Sequence, residues 1–300
     1  MAHPDDMEYG TSAAVAAWTA SGVEVTYLLL TAGEAGMSEP PEQVAPVRAE
    51  EQRQACAQVG VSDLRILDHP DGMLEYGLDL RRDIARTVRQ VRPQIVVTAS
   101  FAFEAYGGLN QADHRAAGLA VVDGVRDADN RWVFRELAEQ EALEPWHVSA
   151  LLVAGDDRPT HAVPVDEHAV QAAVRSLSSH AAYVEHVEDH PDPATFIPQT
   201  LHDGGSVAGC EHAVTFRCTT WAGSARRRAD LGQPGQPSTR GTKRYHPCRV
   251  TRLPSPSRWT RSISPSTGIA ITPSEASCES REGPPATAPA PGDSPGRPPE

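Results

Sequence analysis

The chain has 300 residues, of which 39% are hydrophobic, and a formal net charge of −13 at pH 7. Residues 1–200 carry 32 acidic and 14 basic side chains, whereas residues 201–300 carry 8 acidic and 13 basic side chains. Because nucleic-acid binding relies on clustered Lys and Arg, the acidic first part argues against a nucleic-acid partner.

The sequence contains neither a charged-then-apolar leader nor a run of 18 apolar residues. It therefore predicts no signal peptide, no membrane span and a cytoplasmic location. The pattern does not specify an oligomeric state, so a homo-oligomer stays open.

Predicted helices and strands alternate along residues 1–200. The helices are expected at 11–20, 44–59, 78–91, 115–123 and 165–186, and the strands at 23–30, 64–67, 95–99 and 148–154. Alternation at this spacing is typical of βαβ units, so the expected fold class is α/β, a Rossmann-like parallel sheet with flanking helices. In such sheets the ligand binds beyond the carboxyl ends of the strands.

The composition changes at about residue 200. Residues 201–300 hold 14 of the 26 prolines and show no apolar period long enough for an element. We therefore expect one domain over residues 1–200 and a tail over 201–300 that is disordered or the product of a frameshift. Removal of residues 205–300 is expected to leave folding unchanged.

The first chemical motif is Ala-His-Pro-Asp-Asp at residues 2–6. It places one imidazole, His3, beside two adjacent carboxylates, which are the groups that a divalent metal and its nucleophile need. Adjacent carboxylates on a turn cannot both face one ion. We therefore predict that Asp6 is a metal ligand and Asp5 a general base.

The second motif is Asn-Gln-Ala-Asp-His at residues 110–114, after the predicted strand at 95–99. His114 would complete a Zn²⁺ site with His3 and Asp6, with a coordination position left open as in catalytic zinc sites. Either histidine by itself is as well explained as an ordinary loop residue. The pair of motifs is what favours a metal site.

These motifs resemble those of the LmbE-like or PIG-L-like zinc-dependent N-deacetylases, which remove acetyl groups from N-acetylglucosamine-containing small molecules. The resemblance continues through residues 30–34, 48–55, 71–72 and 144–146 and extends to about residue 200. It implies a Rossmann-like fold, a zinc cofactor and a small amino-sugar substrate.

The resemblance also implies roles for residues outside the metal site. Arg48 and Asp71 match positions that contact the substrate, and a salt bridge to Glu51 or Glu34 is the alternative for Arg48. Tyr106 is an additional candidate donor to the substrate because of its position on the same loop as the second motif, and an ordinary loop aromatic is the alternative. Gln111 stands where the family usually has a histidine, so Asp5 would both accept the proton of the water and return it to the amine.

In this family the first motif follows a central strand, whereas only Met1 and Ala2 precede His3 here. A strand of about four apolar side chains would contribute about 6–12 kcal/mol, comparable to the whole stability of a domain. We therefore expect the central strand to be missing and the true start to lie upstream.

The predicted function is zinc-dependent hydrolysis of an N-acetyl amide on an N-acetylglucosamine-containing small molecule. One alternative is an amidase that acts on a thiol-sugar conjugate of the mycothiol type. Another is a catalytically impaired remnant that binds metal or sugar.

Overall fold

The computed structural model describes residues 1–221 and 251–253, which all lie in one compact unit within Met1–Arg258. The helices are α1 (Asp6–Gly10), α2 (Ser12–Ala20), α3 (Pro41–Gln58), α4 (Leu78–Val91), α5 (Ala112–Ala128), α6 (Arg135–Glu139), α7 (Glu167–Ser178), α8 (Ala181–His186) and α9 (Pro193–Ala208). The strands are β1 (Thr26–Leu29), β2 (Asp63–Ile66), β3 (Ile95–Ala99), β4 (Glu104–Ala105), β5 (Gly108–Leu109), β6 (Ala150–Ala154), β7 (His161–Pro164), β8 (Ala213–Thr219) and β9 (Thr251–Arg252).

Helix α4 shows how the apolar pattern sets the packing. Leu80, Ile84 and Val88 recur at every fourth position and are 2%, 2% and 5% exposed. This spacing puts them on one face of the helix, and that face packs against α5. The helix ends where Arg92 adopts a left-handed backbone ahead of Pro93. Its predicted range, 78–91, is confirmed.

Strand β6 separates the two main core clusters, because its side chains alternate between them. Leu151 and Val153 join the cluster built with α4 and α5, whereas Leu152 and Ala154 join the cluster built with α2, α7 and α9. All five residues of β6 are buried. The sheet is thus covered by helices on both faces, as its continuous apolar pattern predicts.

The α/β class with flanking helices is confirmed, but the larger sheet is mixed rather than parallel throughout. Its strand order is β3-β6-β8-β7-β9, and β3 pairs with β6 in parallel. Strand β8 runs antiparallel to both of its neighbours, β6 and β7. Among the described residues, β1 and β2 form a separate parallel pair.

The predicted boundary at residue 200 falls inside α9. Ile197 and Leu201 of this helix are buried, and β8 follows it with Phe216 fully buried. Strand β8 has an alternating apolar pattern, with Val214 and Phe216 buried on either side of Thr215, so residues 201–300 do contain a regular element. The folded domain therefore extends past residue 200. After β8, only residues 220–221 and 251–253 of the predicted tail are described, and the latter include the short β9.

The first two residues lie beside β1. The Met1 amino group donates to the Leu28 carbonyl (2.7 Å), and the Leu30 amide donates to the Met1 carbonyl (3.0 Å). Among the described residues, this two-residue segment occupies the position expected for the central strand. It brings His3 to the edge at which β1 ends. Within residues 1–221 and 251–253, no helix combines the length and apolarity that crossing a membrane requires.

The position of β8 generates a stability prediction. Phe216→Ala should lower the free energy of unfolding by about 3–5 kcal/mol, because it leaves a cavity between the sheet and Trp18, which stacks on Phe216. Urea denaturation of the full chain measures the change. Thr219→Ala, at the exposed end of the same strand, is the control and should change stability by less than about 0.5 kcal/mol. Equal stability of both variants would show that β8 does not belong to the core.

Candidate metal centre

The first motif forms a tight turn between the Met1–Ala2 segment and α1. Asp5 has a left-handed backbone with φ of +81°, and α1 begins at the next residue. The turn sends two adjacent carboxylates in different directions. Asp6 Oδ1 lies 3.1 Å from His114 Nε2, whereas Asp5 Oδ2 lies 3.0 Å from Arg48 Nη2. The two carboxylates thus have different partners, as their adjacency predicts.

His3, Asp6 and His114 meet from two loops. One donor atom of each residue lies within 4.8 Å of the other two. His3 Nδ1 is 3.9 Å from Asp6 Oδ1, and the two imidazole rings are 5.1 Å apart between centroids. Their side chains are only 11%, 9% and 15% exposed. The structure therefore brings the three predicted ligands together in a nearly enclosed position.

Neighbouring side chains hold one nitrogen of each imidazole, which leaves the other facing Asp6. His114 Nδ1 lies 3.0 Å from Asn110 Oδ1, so Nδ1 carries the proton that it donates to the amide oxygen. His3 Nε2 lies 3.0 Å from Asp71 Oδ1 and 3.4 Å from Asp113 Oδ2. Carboxylate and amide partners of this kind fix the tautomer of metal-binding histidines.

The buried His114 Nε2 has no hydrogen-bond partner with suitable geometry, although Asp6 lies beside it. An unsatisfied buried nitrogen costs about 1–3 kcal/mol unless a ligand satisfies it. The donor set, two imidazole nitrogens and one carboxylate oxygen, is one that catalytic zinc sites use. The residues present therefore fit a divalent metal ion.

The electrostatics of the cluster favour a positive charge at its centre. Burial opposes protonation of His3, but the nearby carboxylates of Asp113, Asp6 and Asp71 outweigh burial and raise the pKa of His3 to about 12. Burial also opposes the charge on Asp6, yet His114 and His3 hold the pKa of Asp6 below its usual range. Either a protonated imidazole or a bound cation supplies the charge that these carboxylates require.

Asp5 is buried against Arg48 of α3. Arg48 Nη2 donates to the Pro4 carbonyl (2.6 Å) and to Asp5 Oδ2 (3.0 Å), and the guanidinium lies 3.8 Å from the centroid of the Tyr183 ring. Burial raises the pKa of Asp5 to about 7; Arg48 opposes this shift and Asp6 adds to it. A carboxylate with a pKa near neutral can both accept and return a proton.

The partner of Arg48 is thus neither Glu51 nor Glu34, the two alternatives named from the sequence. Glu51 Oε1 instead accepts from the Ala182 amide (2.6 Å) at the start of α8. Arg48 is 2% exposed, and its buried side chain holds the first motif through Pro4 and Asp5.

Asp71 joins the loops that follow β1 and β2. Asp71 Oδ2 accepts from the Ala35 amide (2.7 Å), while Glu34 Oε1 accepts from the Asp71 amide (2.9 Å). The first of these loops packs on the motif at Gly33, where φ is +67° and a Cβ would lie 2.9 Å from Pro4 Cδ. A side chain at position 33 would therefore strain the turn that carries His3.

Asp113 is a buried carboxylate in the first turn of α5. Helix α5 begins at Ala112 with Gln111 as its N-cap. The carboxylate of Asp113 is 2% exposed and accepts from the amides of Gly72 (2.8 Å) and Leu74 (3.1 Å). It ties the loop after β2 to the start of α5, beside His3.

Gln111 and Tyr106 lie at the rim of the site. Gln111 is exposed, three residues before His114. Tyr106 lies in the turn between β4 and β5 and is 64% exposed, although its hydroxyl accepts from the Ser100 amide (3.2 Å). The hairpin thus carries an aromatic ring at the carboxyl end of β3.

The sequence alone assigned no role to three residues that shape the site. Asn110 precedes His114 by four residues, a spacing that could have indicated a partner for the imidazole. Glu8 and Gln52 are buried polar residues, 1% and 0% exposed, on α1 and α3. The sequence alone does not distinguish these inward-facing polar residues from the exposed polar residues on the same helices.

Comparison with known proteins gives consistent matches. Residues 1–125 match the family described as PIG-L, GlcNAc-PI de-N-acetylase. The 1D-myo-inositol 2-acetamido-2-deoxy-alpha-D-glucopyranoside deacetylase of Kineococcus radiotolerans is 30% identical over 249 residues, which cover 68% of this chain and 62% of that protein. The diacetylchitobiose deacetylase of Thermococcus kodakarensis is 28% identical over 181 residues, which cover 59% of this chain and 66% of that protein.

The chain therefore spans less than two thirds of the length of these two relatives. Among solved structures, the N,N'-diacetylchitobiose deacetylase of Pyrococcus horikoshii has the same fold, with a TM-score of 0.64 and 20% identity over 72% of this chain and 80% of that one. The matched segment contains both motifs. Residues 1–125, which include His3, Asp6 and His114, are thus similar to the PIG-L family.

Proposed function

We propose that this protein is a Zn²⁺-dependent N-deacetylase that hydrolyses the N-acetyl amide of an N-acetylglucosamine-containing small molecule. One observation carries the proposal. His3 and His114 each turn a nitrogen toward Asp6, and their other nitrogens are held by Asp71 and Asn110. Both relatives named above are deacetylases of acetamido-sugar compounds, which supports this substrate class.

His3, Asp6 and His114 would hold the metal ion. When bound, Zn²⁺ supplies Lewis acidity to a water molecule and to the amide carbonyl. Asp71 and Asp113 keep the proton of His3 on Nε2, and Asn110 keeps that of His114 on Nδ1, so that each ligand nitrogen carries its lone pair.

Asp5 handles the protons of the reaction. It takes a proton from the water whose oxygen attacks the amide carbon, and it returns that proton to the nitrogen when the carbon–nitrogen bond breaks. The products are acetate and the free amine. Gln111 can donate an amide hydrogen bond to the former carbonyl oxygen but has no proton to transfer. Asp5 therefore serves as both base and acid.

The residues predicted to bind substrate divide into two kinds. Arg48 and Asp71 are committed to Asp5 and His3, so in this proposal they act on the substrate through those residues. Tyr106 presents its ring at the rim, where an aromatic face can pack on a sugar. Sugar specificity would then depend more on the β4–β5 hairpin than on the buried Arg48 and Asp71.

Acetate release tests this function. The panel is N-acetylglucosamine, N,N'-diacetylchitobiose and 1D-myo-inositol 2-acetamido-2-deoxy-α-D-glucopyranoside, each with metal-free and Zn²⁺-loaded protein. We expect acetate from at least one compound with loaded protein only, and stoichiometric Zn²⁺ binding by calorimetry. Zinc binding without acetate from any compound would identify a metal-binding protein without this activity.

Separate roles for the ligands and the base predict different losses. His114→Ala should weaken Zn²⁺ binding by more than about 100-fold, since it removes a ligand rather than an outer partner. Asp5→Asn should bind Zn²⁺ normally and lower kcat by about 10²–10⁴-fold, because a carboxamide cannot accept the proton. Calorimetric titration and acetate release measure the two effects. His147→Ala, at a surface histidine paired with Asp129, is the matched control. An Asp5→Asn protein with normal kcat would contradict the base assignment.

Orientation of His114 by Asn110 predicts a smaller effect. Asn110→Ala should weaken Zn²⁺ binding by about 10–100-fold, since the imidazole loses the partner that fixes its tautomer. The exposed Asn130, changed to Ala in the same way, should leave the affinity unchanged. Equal Zn²⁺ affinity in the Asn110 and Asn130 variants would mean that His114 is oriented by its backbone alone.

A further inference from the structure

A cluster of buried polar side chains lies behind Asp5. It consists of Glu8 on α1, Gln52 on α3, Ser176 on α7 and His180 after α7, and none is more than 1% exposed. Burial of such groups in a core is costly unless hydrogen bonds satisfy them. The proposed reaction uses none of the four directly.

Gln52 joins this cluster to the first motif. Its Oε1 accepts from the Asp5 backbone amide (3.0 Å), and its Nε2 donates to Glu8 Oε1 (3.1 Å). A carboxylate only accepts hydrogen bonds, so Glu8 requires the amino group of Gln52 on its side. The carbonyl oxygen of Gln52 is thereby directed at Asp5.

Glu8 is itself held from the other side of the molecule. Ser176 Oγ lies 3.1 Å from Glu8 Oε1, and His180 Nε2 lies 3.7 Å from Glu8 Oε2. Ser176 Oγ also lies 3.1 Å from the Ala55 carbonyl of α3. Helices α1, α3 and α7 are thus joined through one carboxylate, which fixes the position of Gln52.

Arg48 and Gln52 lie one helical turn apart on α3, so they share a face of that helix. Arg48 binds the carboxylate of Asp5, and Gln52 binds its backbone amide. Left-handed backbone costs a non-glycine residue about 1–2 kcal/mol. Two contacts from a rigid helix therefore hold a strained residue by both its main chain and its side chain.

We propose that Gln52, oriented by Glu8, is a positioning residue that holds Asp5 in the left-handed conformation in which its carboxylate is separated from Asp6. This inference rests on the proposed function, because it assigns Gln52 to the placement of the general base. It assigns no contact with substrate or metal to Gln52. Loss of Gln52 should therefore lower turnover and spare metal binding.

Gln52→Met tests the role, since methionine has a similar volume and no hydrogen-bonding amide. On the most rapidly deacetylated member of the N-acetylglucosaminide panel, kcat should fall about 10–100-fold, as expected for a displaced catalytic group. KM and the Zn²⁺ affinity should stay within about threefold of the wild-type values, because neither binding contact is lost. Gln54→Met, an exposed position on the same helix, is the matched control and should change none of these values.

A paired variant provides the rescue. Glu8→Gln together with Gln52→Glu exchanges the amide and the carboxylate, so the new carboxylate still accepts from the Asp5 amide and from its partner. Net charge is unchanged, and the hydroxyl of Ser176 can donate or accept. The pair should recover most of the lost kcat, whereas Gln52→Glu by itself should not, because it places two buried carboxylates together.

Two measurements without substrate separate this inference from the proposed function. In Gln52→Met, the hydrogen-exchange protection factor of the Asp5 amide should fall about tenfold. A crystal structure of this variant should show Asp5 displaced. Wild-type-like kcat, an unmoved Asp5, or equal losses of kcat and Zn²⁺ affinity would each overturn the positioning role. If the wild-type protein deacetylates nothing, the proposed function fails, while exchange and structure still decide on Gln52.

Discussion

The left-handed turn at Asp5 is the constraint on which the candidate site depends. It lets two adjacent carboxylates occupy different environments, one against His114 and the other against Arg48. In a regular helix or strand at this point, the two carboxylates would not reach these two partners. The turn is stable because α3 holds Asp5 through Arg48 and Gln52. A strained conformation held by surrounding contacts is a recurrent feature of functional sites.

The candidate metal ligands His3, Asp6 and His114 also depend on contacts with neighbouring side chains. His3 and His114 become suitable ligands because Asp71, Asp113 and Asn110 occupy their other nitrogens. Asp113 also accepts two backbone amides from the loop after β2, so one carboxylate orients the loop and the imidazole together. In the proposed site, metal affinity and loop geometry would therefore be coupled, so a change in either loop should alter metal affinity.

The layered fold explains why these loops meet. The Met1–Ala2 segment and strands β1, β2 and β3 all deliver loops to one edge, while α4 and α5 cover one face of the sheet and α2, α7 and α9 the other. Strand β8 adds an antiparallel member between β6 and β7. It extends the sheet beyond β6, so the core beneath the site depends on residues well beyond the matched family segment.

The sequence by itself determined the elements with strong local patterns and the residue types of the candidate metal site. Helix α4 and strand β3 have the predicted bounds, and the residues His3, Asp6 and His114 converge as the two motifs indicate. These features follow from local periodicity and from spacing along the chain. The family resemblance, which the match of residues 1–125 supports, added the class of substrate that we propose.

Only the tertiary structure decided the partners of each polar group. Arg48 binds Asp5 rather than Glu51, and Asp113 accepts from the backbone amides of Gly72 and Leu74. It also placed β8 inside the sheet, past the predicted boundary at residue 200. Contacts of this kind join residues that are distant in sequence, and several partners of the right charge were available to each. Which partner is reached depends on how the helices pack, and no local pattern encodes that choice.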